Sequence, residues 1–160
     1  MDHPVPSTEQ HRWLHKLVGD WTFESVCNVG PDKPPMVSQG RESVRTLGEL
    51  WAICEMTGEN DGKTWNSVMT LGCDPGRGIF IGTFVASVMP HLWLYHGSLD
   101  EAKSTLSLAA EGPSMTGTGN ANYQDEIAFQ SDDERTLTSF IEMAPGHWVE
   151  FMKQTYRRSK

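Results

Sequence analysis

Asp125 alternates with Ile127 and Phe129 in a strand-like stretch, so its carboxylate shares a face with two large apolar side chains. A carboxyl group placed this way is desolvated. Its pKa rises toward neutrality, which suits general-base chemistry. Ser67 stands between Trp65 and Met69, and Ser139 between Leu137 and Ile141, so each brings a hydroxyl to an apolar face where it can hydrogen-bond a ligand. His96 is a second candidate acid–base group. The plainer alternative is that Asp125 lies at a strand start, solvated or paired with Arg41 or Arg45.

The remaining histidines offer less. His11 and His15 are four residues apart, a spacing that can present two imidazoles to zinc from one helical face. The run His11-Arg-Trp-Leu-His15 lacks the glutamate that follows the first His in zinc proteases, and no third ligand is evident. His91 and His147 are candidates for a haem ligand at a barrel rim, but a single His only permits that reading. No cofactor is therefore expected, and metal or haem is disfavoured. Cys27, Cys54 and Cys73 are odd in number, widely spaced and without a nearby basic partner, and read as packing thiols. No nucleophile elbow, phosphate loop or dinucleotide fingerprint occurs, so no catalytic motif is recognised.

Composition bounds the partners. The 160 residues carry a formal net charge of −8, with 13 basic and 21 acidic side chains. A surface so acidic repels phosphate backbones and anionic headgroups, so neither nucleic acid nor membrane is an expected partner. The basic residues clustered from Lys153 to Lys160 form only a small tail. No apolar run approaches the ~20 residues of a membrane helix. Met1-Asp2-His3-Pro4 shows no secretory signal, and with the free thiols this leads to a cytoplasmic expectation.

These side chains need elements to hold them. Residues 7–18 read as a helix, with Ser7 as N-cap and Gln10 completing a capping box. Trp13, Leu14, Leu17 and Val18 fall on one arc, and Gly19 ends the helix. From residue 20 the apolar period changes from 3.6 to 2. Ten strand-like segments follow: Asp20–Val29, Val37–Leu47, Leu50–Gly58, Thr64–Cys73, Gly78–Val88, Leu92–Leu99, Ser104–Ala110, Tyr123–Gln130, Thr136–Met143 and Trp148–Arg157. Glu111–Asn122 reads as the loosest loop. Short connections imply an antiparallel meander, and closing it removes two exposed edges. The fold class is mainly β: one up-and-down barrel spanning 20–157 within a single domain, 1–160, with the helix plugging one end. The sixth and tenth segments are apolar on both faces, as expected where the helix covers the wall.

Gly19-Asp20-Trp21 and Tyr156-Arg157-Arg158 resemble the calycin pattern, in which a Gly-x-Trp on the first strand is stacked by a basic residue near the chain's end. By that resemblance Trp21 and Arg157 would close the barrel. His11-Arg-Trp-Leu14, Arg45-Thr-Leu-Gly48, Thr70-Leu-Gly-Cys-Asp-Pro75, Phe80-Ile-Gly-Thr-Phe84, His91-Leu-Trp93, Gly97-Ser-Leu-Asp-Glu101 and Glu111-Gly-Pro-Ser114 are more specific. Together they resemble one bacterial family, the domain of unknown function numbered 1579, nearly end to end. The resemblance implies a calycin-like barrel and carries no catalytic residues to transfer. The family pattern has Tyr where this chain has Cys73, and Glu where it has His96.

The leading expectation is a small, largely apolar ligand held in the barrel by Trp65, Ser67, Met69, Trp93, His96, Asp125 and Ser139. The alternatives are an enzyme acting on such a molecule, with Asp125 or His96 as acid–base group, and a filled barrel that serves as an interaction domain.

Overall fold

The computed structural model describes residues 5–159; the Met1–Pro4 stretch and Lys160 of the basic tail lie outside them. Helix α1 (Glu9–Leu14) continues into a 3-10 turn, His15–Leu17. The N-cap is Thr8, one residue later than expected, and His11 takes the role assigned to Gln10. The Thr8 backbone N–H donates to His11 Nδ1 at 2.9 Å, and the His11 N–H donates to Thr8 Oγ1 at 3.4 Å. An imidazole nitrogen thus serves in a box more often closed by Glu or Gln.

Ten strands follow: β1 (Gly19–Cys27), β2 (Met36–Leu47), β3 (Trp51–Asn60), β4 (Lys63–Asp74), β5 (Ile79–Ala86), β6 (Met89–Leu99), β7 (Thr105–Pro113), β8 (Asn120–Ser131), β9 (Glu134–Ala144) and β10 (His147–Arg158). Each pairs antiparallel with its sequence neighbours, and β10 pairs with β1 to close the barrel. The expected loose loop shrinks to 114–119, because β7 and β8 run on through Pro113 and from Asn120.

Strand alternation sets what points inward. Along β1, Trp21, Phe23 and Ser25 are buried, while Asp20, Thr22 and Glu24 are exposed. The register then places Tyr156 and Gln154 beside Phe23 and Ser25. A bulge near Phe151 shifts the outer half of β10. One extra residue there turns the strand's parity, which is why that segment is apolar on both faces.

The helix plugs one end and covers no wall. Trp13 meets Phe80 and Phe129 edge-on, at ring-centroid separations of 6.2 and 5.7 Å, and its indole N–H donates to the Lys103 carbonyl at 2.7 Å. Leu14 and Leu17 are almost fully buried among Leu71, Leu106 and the rest of the core. The outer face of β6 remains open, with Leu92 and Leu94 exposed. Its apolar outer residues therefore are not accounted for by a covering helix.

Candidate functional site

The barrel interior has two unlike halves. The half next to the helix holds the closure motif. The Trp21 indole N–H donates to the Leu17 carbonyl at 2.8 Å. The Arg158 guanidinium lies over the Trp21 ring at 4.2 Å, and its nitrogens donate to the carbonyls of Val18, Lys16 and Asp132. The stacking arginine is thus Arg158. Arg157, its expected counterpart, sits on the exposed face of β10 opposite Thr22. Parity decides this: Arg158 shares the face of Tyr156 and Gln154. Gly19 has φ +133°, and a Cβ there would lie 2.5 Å from Arg158 Nη1, so the glycine makes room for the guanidinium.

A second guanidinium lies inside this half. Arg135 is buried over Trp21 at 4.6 Å and Tyr156 at 3.9 Å, and it pairs with the buried Glu42. Its Nε is the one enclosed side-chain polar atom without a partner among the described residues. Sequence reading missed this pair, since lone charged residues on strands default to the solvent face. The only available signal was parity, because Glu42 shares a face with Val44, and Arg135 with Leu137.

The half away from the helix, termed the cup, is arranged around Asp125. Asp125 lies at mid-barrel and accepts two hydrogen bonds, from the Tyr95 hydroxyl at 2.5 Å and from Ser139 Oγ at 2.6 Å. Burial raises the carboxyl pKa, and the two hydroxyl donors only partly oppose that. The Tyr95 hydroxyl is pushed well above its usual range, first by burial and then by the Asp125 charge. No Lys, Arg or His among the described residues forms an ion pair with Asp125, and Arg41 and Arg45, its suggested partners, lie exposed on the outer wall. Gln154 accepts from the Tyr156 hydroxyl at 2.6 Å.

One layer nearer the mouth the wall becomes aromatic. Trp65 lies against Gly58 and Trp93 against Gly112; a Cβ on either glycine would come within 2.3 Å of the indole. Trp93 meets Tyr123 edge-on at 4.9 Å and His91 at 4.6 Å, and Tyr123 meets Phe151 at 6.0 Å. Trp65, Phe84, Trp93, Met152 and Asp125 point inward yet keep part of their surface open. The hydroxyls of Ser25 and Ser67 have no hydrogen-bond partner among the described residues, although both residues are buried and inward.

Six of the seven expected lining residues therefore face the interior: Trp65, Ser67, Met69, Trp93, Asp125 and Ser139. His96 does not. It is exposed on the outer wall opposite Ile81, and Tyr95 occupies the inward position beside it. Apolar residues on both faces of β6 hid its parity. Among the other histidines, His11 is committed to the helix cap, His15 Nε2 lies 3.2 Å from the Glu49 carbonyl, and His147 is exposed. Among the described residues no three His, Cys, Asp or Glu side chains are grouped to hold a metal ion. Cys54 is buried, and its thiol pKa is raised by that burial.

The wall has one thin seam. The β6–β7 ladder runs only from His96↔Ala109 to Leu99↔Leu106, so β6 from Met89 to Tyr95 has no β7 partner. Trp93 and His91 stand there, with His91 Nε2 3.4 Å from the Glu111 carbonyl. A separate hollow of about 560 Å³ lies on the outer wall, between Glu24, Gln39, Arg41, Glu59 and Arg157. It is remote from the cup and lined by polar side chains of both charges.

Solved structures share this architecture. Rv2717c from M. tuberculosis matches with a TM-score of 0.68 at 13% identity, covering 97% of this chain and 100% of that one. A redesigned β-barrel matches with a TM-score of 0.50 at 13% identity, over 93% and 96% of the two chains. Another redesigned barrel, bound to DFHBI, gives 0.45 at 16% identity, over 92% and 99%. At these identities the first two likenesses concern the fold alone. No curated protein matches the sequence. The model of the family described as protein of unknown function DUF1579 matches residues 6–158, nearly the whole chain, and the protein belongs to that family.

Proposed function

We propose that this protein binds a small, largely apolar molecule in the half of the barrel away from the helix. The observation that carries this reading is the set of inward side chains left partly uncovered: Trp65, Phe84, Trp93, Met152 and Asp125. A wall that is mostly apolar and aromatic, with a few convergent polar groups, is the general make-up of a small-molecule site. Ser25 and Ser67 supply hydroxyls without protein partners, and Trp65 and Trp93 supply flat contact area that costs little conformational entropy.

Titration with Nile red, a neutral apolar dye, tests the reading. The expected result is a blue-shifted emission that saturates at one equivalent and is lost in a Ser67→Phe protein with unchanged circular dichroism. Equal binding by both proteins would put the dye outside the barrel and overturn the reading. Absence of dye binding, together with a bare polypeptide mass in native mass spectrometry, would favour a filled barrel acting as an interaction domain. A second reading, an enzyme using Asp125 as general base, draws on the position of that carboxylate at the foot of the cup.

A further inference from the structure

The geometry points to a ligand class: the cup takes a small aromatic or aliphatic molecule that carries one protonated amine, with Asp125 as its counter-ion. This inference rests on the cup reading proposed above and narrows it.

Three observations meet at one place. First, Asp125 is an interior carboxylate with no cationic partner. The other interior acid, Glu42, is matched by Arg135, so Asp125 is the interior acid left without a cation among the described residues. Second, Asp125 is held in place and is not consumed by its contacts. Tyr95 and Ser139 each donate to a different oxygen, Oδ2 and Oδ1, and each carboxylate oxygen has a further lone pair. By surface area the residue is only partly buried. Third, the layer between Asp125 and the mouth is aromatic. Tyr123 is two residues along the same strand on the same face, Trp93 bears the same relation to Tyr95, and Phe84 is the cross-strand neighbour of Trp93. A carboxylate below aromatic faces is the arrangement that attracts an alkylammonium group, by direct charge at one end and ring quadrupoles along the sides. An anionic ligand would instead meet an unpaired carboxylate in a low-dielectric interior. A wholly apolar one would leave that carboxylate desolvated and uncompensated. The acidic surface of the molecule favours approach of a cation as well.

The test compares three probes of one shape: 3-phenylpropylamine, 3-phenylpropan-1-ol and 3-phenylpropionate, each displacing Nile red from the wild-type protein at neutral pH. The expected order is amine, alcohol, acid, with at least a tenfold preference for the amine over the alcohol. Asp125→Asn should remove that preference, bringing the amine's affinity to that of the alcohol. If that variant does not fold, the wild-type order alone decides. Binding of the alcohol or acid as tightly as the amine would overturn the amine assignment and leave the cup reading standing. If Nile red itself does not bind, the cup reading and this inference fall together. A tenfold preference that persists in Asp125→Asn would place the cation elsewhere and overturn the role given to Asp125.

Discussion

The two halves of the barrel use similar residues to opposite ends. Next to the helix, Trp21 is fully buried, its N–H is satisfied by Leu17, and guanidinium groups of Arg135 and Arg158 lie over its ring. Toward the mouth, Trp65 and Trp93 lie on glycines and keep part of their surface open. In the first half the buried carboxylate of Glu42 is matched by Arg135. In the second, Asp125 is met only by hydroxyls. Packing and charge pairing hold the barrel shut at one end. At the other, the same classes of side chain are left with unspent contacts, which is what a site requires and a stability core avoids.

The largest expected effect comes from making the same truncation in both halves. Trp21→Ala should cost about 3–5 kcal/mol, because it opens a cavity and strips both guanidinium groups of their stacking partner. Trp93→Ala should cost only about 1 kcal/mol and should weaken Nile red binding instead. Chemical denaturation of the two variants measures this, and equal losses would erase the distinction between the halves. Next, Arg135→Met alone should cost about 3–5 kcal/mol, since it strands Glu42 as a buried charge. Adding Glu42→Leu should restore much of that loss, because an apolar pair needs no compensation. A double variant no more stable than the single would show that the guanidinium acts through its rings and not through its charge.

The smallest effect concerns pH. Burial raises the folded-state pKa of Asp125 above its unfolded value, so the folded state holds the proton more tightly. The associated stability is fully present below the ordinary carboxylate range and is lost as pH rises through the raised value. Asp125→Asn should flatten that decline. Thermal unfolding of both proteins across acidic and neutral pH reads the difference, and parallel curves would mean that Asp125 titrates as an ordinary carboxylate.

The barrel was legible because alternation is a direct signature of a strand with one face buried. Trp21, Phe23 and Ser25, or Leu137, Ser139 and Ile141, announce their inward face without ambiguity. Where both faces are apolar the signature disappears. Leu92 and Leu94 are exposed while Trp93 and Tyr95 turn inward, which leaves His96, an expected lining residue, on the outer wall. Arg157 and Arg158 differ in the same way. The Glu42–Arg135 pair lay beyond reach for another reason. Its partners are far apart in sequence, and only the register of a closed sheet brings them together. Asp125, Ser67 and Ser139 stand out in the sequence as polar residues on apolar faces. That Asp125 is held by Tyr95 and Ser139, and not by an arginine, needed the structure.

Because the sheet is closed by its first and last strands, the order of synthesis matters. Each hairpin from β2 to β9 can form as soon as its two strands leave the ribosome, since its partner is the adjacent stretch of chain. Only the outer edge of β1, the one not paired with β2, must wait for β10. Trp21 cannot receive Arg158 until nearly the whole described chain has emerged. For most of translation the nascent chain is an open curl with two unpaired edges, the condition most prone to pairing with another copy. Barrel closure is then the step at which a chaperone that shields strand edges would matter most.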